Sequence, residues 1–199
     1  YGQDGNIWYT AEGSNKICKM NPSTGNVIQE YSIPTANSQP YSITSGPDNN
    51  IWFTEKAGSK IGQLELTSNK IITEFPTLTA SSEPAGIVSG PDGSIWFTEK
   101  AGSKIGQLKL SGVLEEFIIS AGSSPLAMAI GGDGNIWFTE SAGDKIGQIL
   151  VASFLPRVPN TSTVDNIKPN NAPIVFVVFA VIFSIGITIY WFRIERRNK

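Results

Sequence analysis

Four copies of one turn-and-strand unit, tryptophans spaced 44, 44 and 41 residues apart, and short apolar alternations punctuated by Gly, Pro, Asn and Asp predict an all-β repeat fold. A period near forty with one small sheet per repeat is the signature of a partial β-propeller, here about 3.5 four-stranded blades. One C-terminal transmembrane helix is expected to follow them.

The four copies are Gly2-Gln3-Asp4-Gly5-Asn6-Ile7-Trp8-Tyr9-Thr10, Gly46-Pro47-Asp48-Asn49-Asn50-Ile51-Trp52-Phe53-Thr54-Glu55, Gly90-Pro91-Asp92-Gly93-Ser94-Ile95-Trp96-Phe97-Thr98-Glu99 and Gly132-Asp133-Gly134-Asn135-Ile136-Trp137-Phe138-Thr139-Glu140. In the second unit Pro40 to Thr44 reads as a first strand and Ile51 to Glu55 as a second. Lys60 to Leu66, which alternates as a half-buried strand should, is the third, and Lys70 to Phe75, stopped by Pro76, is the fourth. The third unit repeats this with strands at Pro84, Ile95, Lys104 and Val113, and the fourth keeps three of them, to Val151. The first begins at its second strand, continues through Lys16 to Met20, turns at Asn21 to Gly25 and finishes with Val27 to Ile33. Because Tyr1 falls inside a repeat, further blades are expected before it; two chains completing one ring is the alternative.

Residues 1–151 are thus the propeller segment. Residues 152–173, with Pro156, Pro159, Pro169 and Pro173 among Asn, Ser and Thr, read as a semi-extended stalk carrying the sequon Asn160-Thr161-Ser162. Residues 174–192 hold no charge and are long enough as a helix to cross a bilayer. Arg193, Arg196, Arg197 and Lys199 follow in a basic tail, residues 193–199, which the positive-inside rule places in the cytoplasm. The expected localisation is therefore the cell membrane, single-pass, with the propeller outside and the lipid bilayer as a partner through residues 174–192.

Charge excludes one class of partner. Residues 1–172 carry 11 Lys and Arg against 16 Asp and Glu, which argues against nucleic acid. A single cysteine, Cys18, cannot form an internal disulfide and is expected to face the core of its strand. The repeated tryptophans are expected to fill the space between blades, and the turn residues to supply positive-φ positions for tight hairpins. Lys60, Lys104 and Lys145 recur at one position, which reads as a solvated strand start.

The units Pro-x-Gly-Ile-x-x-Gly-Pro-Asp-Gly-x-Ile-Trp-Phe-Thr-Glu and Lys-Ile-Gly-Gln resemble the blades of the virginiamycin B lyase (streptogramin lyase) family over about residues 1–151. The resemblance implies a seven-bladed ring and a ring-opening elimination, in which Mg²⁺ polarises a lactone and a histidine acts as base. It also implies a site made of a carboxylate before the blade-opening Pro, a histidine after it, and the Glu that ends the Trp-Phe-Thr-Glu run. Glu83 and Glu99 match the two carboxylates and are the expected Mg²⁺ ligands; Ala85 stands at the histidine position. The equivalent residues are Gln39, Tyr41 and Glu55 one blade earlier, and Ser124, Leu126 and Glu140 one blade later. The 199 residues contain no histidine.

General-base assistance is typically worth about 10² to 10⁴ in rate, so a carboxylate pair without a base points to binding rather than turnover. The expected function is a ligand- or protein-binding scaffold whose propeller face takes a small molecule, a glycan or a protein. The alternative is a Mg²⁺-dependent carbon–oxygen lyase whose base lies in blades outside this sequence.

Overall fold

Each apolar alternation of the repeat segment becomes a strand and each Gly/Asn/Asp cluster a reversal. The computed structural model describes residues 1–67 and 70–151, together with the backbone of 177–183 and 186–192. The first sheet contains β1 (Ile7–Ala11), β2 (Lys16–Met20) and β3 (Val27–Ser32). The second contains β4 (Pro40–Ser45), β5 (Ile51–Glu55), β6 (Lys60–Leu64) and β7 (Ile72–Pro76); the third β8 (Pro84–Ser89), β9 (Ile95–Glu99), β10 (Lys104–Leu108) and β11 (Leu114–Ile118). The fourth opens with β12 (Pro125–Ile130), β13 (Ile136–Glu140) and β14 (Lys145–Ile149). Within each of these the neighbours are antiparallel and in sequence order, as in a propeller blade. The first strands β4, β8 and β12 lie side by side from blade to blade. At Gly86 an added Cβ would stand 2.6 Å from the Leu126 carbonyl oxygen, so only glycine lets β8 approach β12 this closely.

Three layers of side chains hold consecutive blades together. Trp8 and Ile17 pack with Ile51, Phe53 and Leu64; Trp52 and Ile61 with Ile95, Phe97 and Leu108; Trp96 and Ile105 with Ile136 and Phe138. A tryptophan that buries ~200 Å² at roughly 25 cal/mol per Å² contributes about 5 kcal/mol before the entropy cost. The expectation that the tryptophans are inter-blade packing residues holds for these three.

The repeated polar residues fix each tryptophan in place. The indole Nε1 of Trp8, Trp52, Trp96 and Trp137 donates to Asp4, Asp48, Asp92 and Asp133 at 3.1, 3.0, 3.1 and 3.2 Å. In the last three blades the second oxygen of that carboxylate accepts from Gln63, Gln107 and Gln148 at 2.7 to 2.8 Å. In the first blade Lys19 replaces the glutamine and pairs with Asp4 at 2.8 Å. The Lys-Ile-Gly-Gln run therefore reads as one apparatus: Ile fills the core, Gln clamps the aspartate, and Gly makes room for a ring. An added Cβ at Gly62, Gly106 or Gly147 would sit 2.0 to 2.1 Å from Cζ of Phe53, Phe97 or Phe138. In the first blade the pair is Cys18 with Tyr9, and Cys18 is buried as expected.

Two expectations need correction. Lys60 and Lys104 are not simply solvated. Each is part-buried and pairs at 2.7 Å with a glutamate of the fourth strand, Glu74 or Glu116. Nor does the apolar run take the single helix expected over 174–192: its backbone forms β15 (Val177–Phe183) and β16 (Gly186–Phe192), an antiparallel pair, with β15 beside β14 and parallel to it. The run is rich in Val, Ile and aromatic residues, which favour strands, and Gly186 lies at the start of β16. Among the described residues no helix is long and apolar enough to cross a membrane. The expected stalk, residues 152–173 with its sequon, and the tail, residues 193–199, lie outside the described residues.

Candidate functional site

The residues singled out by sequence lie where the loop entering a blade meets the hairpin that follows its second strand. This junction is built the same way three times. The residue before the opening proline takes a left-handed backbone: φ is 52° at Gln39, 50° at Glu83 and 48° at Ser124. Such a conformation is uncommon for a side chain larger than hydrogen, and here the hairpin backbone supports it. The amides of Lys56, Lys100 and Ser141 donate to the carbonyls of Gln39, Glu83 and Ser124 at 3.0, 3.2 and 3.2 Å. One residue earlier, the carbonyls of Ser38, Ser82 and Ser123 accept from Ala57, Ala101 and Ala142 at 3.0 to 3.1 Å.

Past the proline the first strand bulges, between Pro40 and Ile43, Pro84 and Ile87, and Pro125 and Met128. A bulge leaves an amide without its ladder partner, and the threonine of the Trp-Phe-Thr-Glu run supplies one. Thr54, Thr98 and Thr139 accept from Ser42, Gly86 and Ala127 at 3.0, 2.8 and 3.0 Å. The same hydroxyls of Thr54 and Thr98 donate to the next blade, to the carbonyls of Ala85 at 2.9 Å and Leu126 at 3.1 Å. Thr10 reaches Tyr41 in the same way at 3.1 Å. Thus the backbone at Tyr41, Ala85 and Leu126, the positions after the prolines, is tied to the preceding blade.

The glutamate that ends each second strand is buried. Glu55 and Glu99 are 0% exposed and Glu140 is 1% exposed, each is the register partner of an opening proline, and none of their six carboxylate oxygens has a hydrogen-bond partner. Burial, then the negative charge of Glu74, pushes Glu55 up to about 7. Burial, then the charge of Glu116, pushes Glu99 up to about 8, and burial also raises Glu140. Their neighbours behave oppositely. Burial acts to raise Glu74 and Glu116, but hydrogen bonds from Lys60 and Thr35, and from Lys104 and Thr79, outweigh it and hold both below the ordinary range.

Sequence reasoning missed these Thr–Glu–Lys networks. Thr35 bonds both oxygens of Glu74 at 2.8 Å through its amide and hydroxyl, and Thr79 does the same to Glu116 at 2.8 and 2.7 Å. The signal was present, because Thr35 and Thr79, and Glu74 and Glu116, recur one repeat apart.

The structure brings Glu83 and Glu99 to one end of the third blade: Glu83 adjoins Pro84, which is in register with Glu99, and Lys100 bonds the Glu83 carbonyl. Glu83 is half-buried and Glu99 fully so. Of the three equivalent junctions this one alone offers two carboxylates, since Gln39 and Ser124 stand at the other two. Among the described residues no group of three or more His, Cys, Asp or Glu is assembled to hold a metal. Two carboxylates still fit Mg²⁺, which takes one or two from protein and keeps several waters, and the orphaned oxygens of Glu99 are acceptors in want of a donor or cation. Ala85, at the expected histidine position, is 1% exposed.

A family model, the virginiamycin B lyase family, matches residues 1–159. Among solved structures the chain is similar to a catalytically inactive histidine-to-alanine variant of virginiamycin B lyase from Staphylococcus aureus with quinupristin: 33% identity, 96% of this chain, 61% of that one, TM-score 0.69. It is similar to a streptogramin B lyase at 29% identity, over 100% of this chain and 70% of that one, with TM-score 0.69. An auxiliary nutrient-binding protein from Bacteroides ovatus shares the fold at 14% identity, over 72% of this chain and 45% of that one, with TM-score 0.58. No curated protein matches. The chain spans 61% of the length of the Staphylococcus aureus structure.

Proposed function

Since this chain belongs to the virginiamycin B lyase family and carries a buried alanine, Ala85, where the resemblance leads one to expect the base, we propose that it is a ligand- or protein-binding propeller built on a lyase scaffold. One observation carries this reading: Ala85 is 1% exposed, and nothing in the 199 residues supplies an imidazole. One Staphylococcus aureus virginiamycin B lyase is catalytically inactive as a histidine-to-alanine variant, which supports reading a chain without histidine as a binder.

Glu83 and Glu99 would hold a Mg²⁺ ion in this reading, and the ion would lend Lewis-acid polarisation to a bound carbonyl. Glu99 would give it a desolvated carboxylate and Glu83 a wetter one, reachable from solvent. Tyr41, 45% exposed, and Leu126 occupy the equivalent positions of the neighbouring blades and would help select the ligand. A small molecule, a glycan or a protein loop are the partner classes.

The second reading, an elimination on a lactone with its base outside these residues, is favoured by the same carboxylate pair. Quinupristin with Mg²⁺ separates the two. The binding reading expects quinupristin to be recovered intact by liquid chromatography after prolonged incubation with the protein. Mg²⁺-dependent appearance of a linear isomer, lost in Glu99→Gln, would sink it.

We also place the protein at a cell membrane, because residues 174–192 hold no charge and Arg193, Arg196, Arg197 and Lys199 follow them. Association with lipid through residues 174–192 predicts that the chain resists carbonate extraction, and that deleting those residues releases it. Extraction of both forms alike would contradict it.

A further inference from the structure

The loop that enters the second blade is fastened over a carboxyl group that has nothing to bond. The amides of Lys56, Ala57 and Gly58, in the hairpin after β5, donate to the carbonyls of Gln39, Ser38 and Ser38 at 3.0, 3.0 and 3.2 Å. Behind these bonds lies Glu55, 0% exposed, with neither carboxylate oxygen partnered. The hairpin rests directly on it: a Cβ added at Gly58 would stand 3.1 Å from Oε2 of Glu55 and 3.4 Å from Cβ of Ser38. Glycine lets the hairpin lie flat against the carboxyl. The three backbone bonds therefore join hairpin to loop and, in the same act, seal Glu55 from water.

The groups around the carboxyl do not compensate a charge on it. Lys60 of β6 and Ser38 of the entry loop favour the charged form, but both are committed elsewhere. Lys60 pairs with Glu74 of β7 at 2.7 Å, and the Ser38 hydroxyl donates to Asn15 at 2.9 Å. Glu74 is itself gripped through both oxygens by Thr35 and keeps its negative charge beside Glu55. From β4 the register partner is Pro40, which carries no charge. Burial, then the charge of Glu74, outweighs the lysine and the serine and holds the Glu55 proton up to about pH 7.

We infer that this junction is a pH-sensitive latch: with Glu55 neutral the Gly58 hairpin stays fastened to the loop at Ser38 and Gln39, and with Glu55 ionised the hairpin lifts and admits water to the carboxylate. Local opening hydrates the charge at the loss of three hydrogen bonds, while the cores around Phe53 and Ile61 stay packed. Below pH 4.5 the carboxyl is protonated whether the latch is open or closed, and opening does not depend on pH. Between 4.5 and about 7 the open form releases the proton that the closed form keeps, so the open population grows as pH rises. Above about 7 both forms are ionised and the growth levels off.

Hydrogen exchange of the full chain, followed amide by amide from pH 5 to pH 8 and corrected for the intrinsic exchange rate, tests this. Protection at Lys56, Ala57 and Gly58 should fall at least about tenfold over that range, while the buried core residues Phe53 and Ile61 keep theirs. In Glu55→Gln, which keeps the shape and cannot ionise, protection at the three amides should stay constant with pH. Glu55→Met, neutral and of similar length, should behave the same way and serves if the glutamine variant does not fold. Protection that is flat with pH in the wild type, that falls equally in the neutral variants, or that is lost at Phe53 and Ile61 in step with the hairpin would each overturn the inference.

Discussion

In chelating buffer the protein should lose about 3 kcal/mol of folding stability between pH 4.5 and pH 7 on account of Glu55 alone, and Glu55→Gln should abolish that part of the loss. The side chain is 0% exposed and its two oxygens have no partner, so the neutral form is favoured and the carboxyl is raised from 4.5 to about 7, first by burial and then by the charge of Glu74. Below pH 4.5 folded and unfolded chains both keep the proton, and the group adds no slope. Between 4.5 and 7 the unfolded chain releases it while the folded chain holds it, so stability falls as pH rises. Above 7 the full penalty of a buried charge is in place. Glu99 acts in the same direction over a window that extends to about 8.

The carboxylates held low work against this only at acid pH. Asp4, lowered to about 2 although burial opposes the shift, adds stability that is lost as pH falls below the ordinary aspartate range. Urea titrations at pH 5 and pH 8 isolate the glutamate, since Glu55→Gln keeps the shape and cannot ionise. Equal losses for wild type and Glu55→Gln between those two pH values would contradict the assignment.

Much of the fold was legible because the repeat is written in residues whose physics is local. Asp, Asn and Gly mark the turns, Ile-Trp-Phe-Thr alternates for a strand, and the proline fixes where each first strand begins. Fourteen strands over residues 1–151 and the burial of Cys18 follow from that alone. Less legible were contacts between residues far apart in sequence. Nothing local says that Thr54 and Thr98 each join two blades, or that Thr35 grips Glu74 across 39 positions. The lysines were misread for the same reason, as their partners lie on the next strand. Length and lack of charge, which predict a helix over 174–192, do not by themselves tell a helix in lipid from strands rich in Val, Ile and aromatic residues.

At the candidate site, the sequence placed Glu83 and Glu99 on neighbouring strand ends, and the register of Pro84 with Glu99 agrees. Burial was not legible. A glutamate at the end of a strand beside a Lys-bearing hairpin looks solvated, yet the loop at Ser82 and the hairpin at Ala101 and Gly102 close over it. Burial would favour a cation at Glu99, because an uncompensated carboxylate in a dry site gains more from one than a hydrated carboxylate does, and Glu83 beside it sets this junction apart from those of the equally buried Glu55 and Glu140.

The most direct test of this account is a calorimetric titration of Mg²⁺ into wild type, Glu83→Gln, Glu99→Gln and Glu55→Gln at pH 8. One ion should bind wild type and Glu55→Gln alike, while Glu99→Gln and Glu83→Gln should each weaken it at least about tenfold, or about 1.4 kcal/mol, since each removes one of two carboxylate ligands. Binding that is the same in all four proteins, or lost equally in Glu55→Gln, would show that the third-blade junction is not where the ion is held.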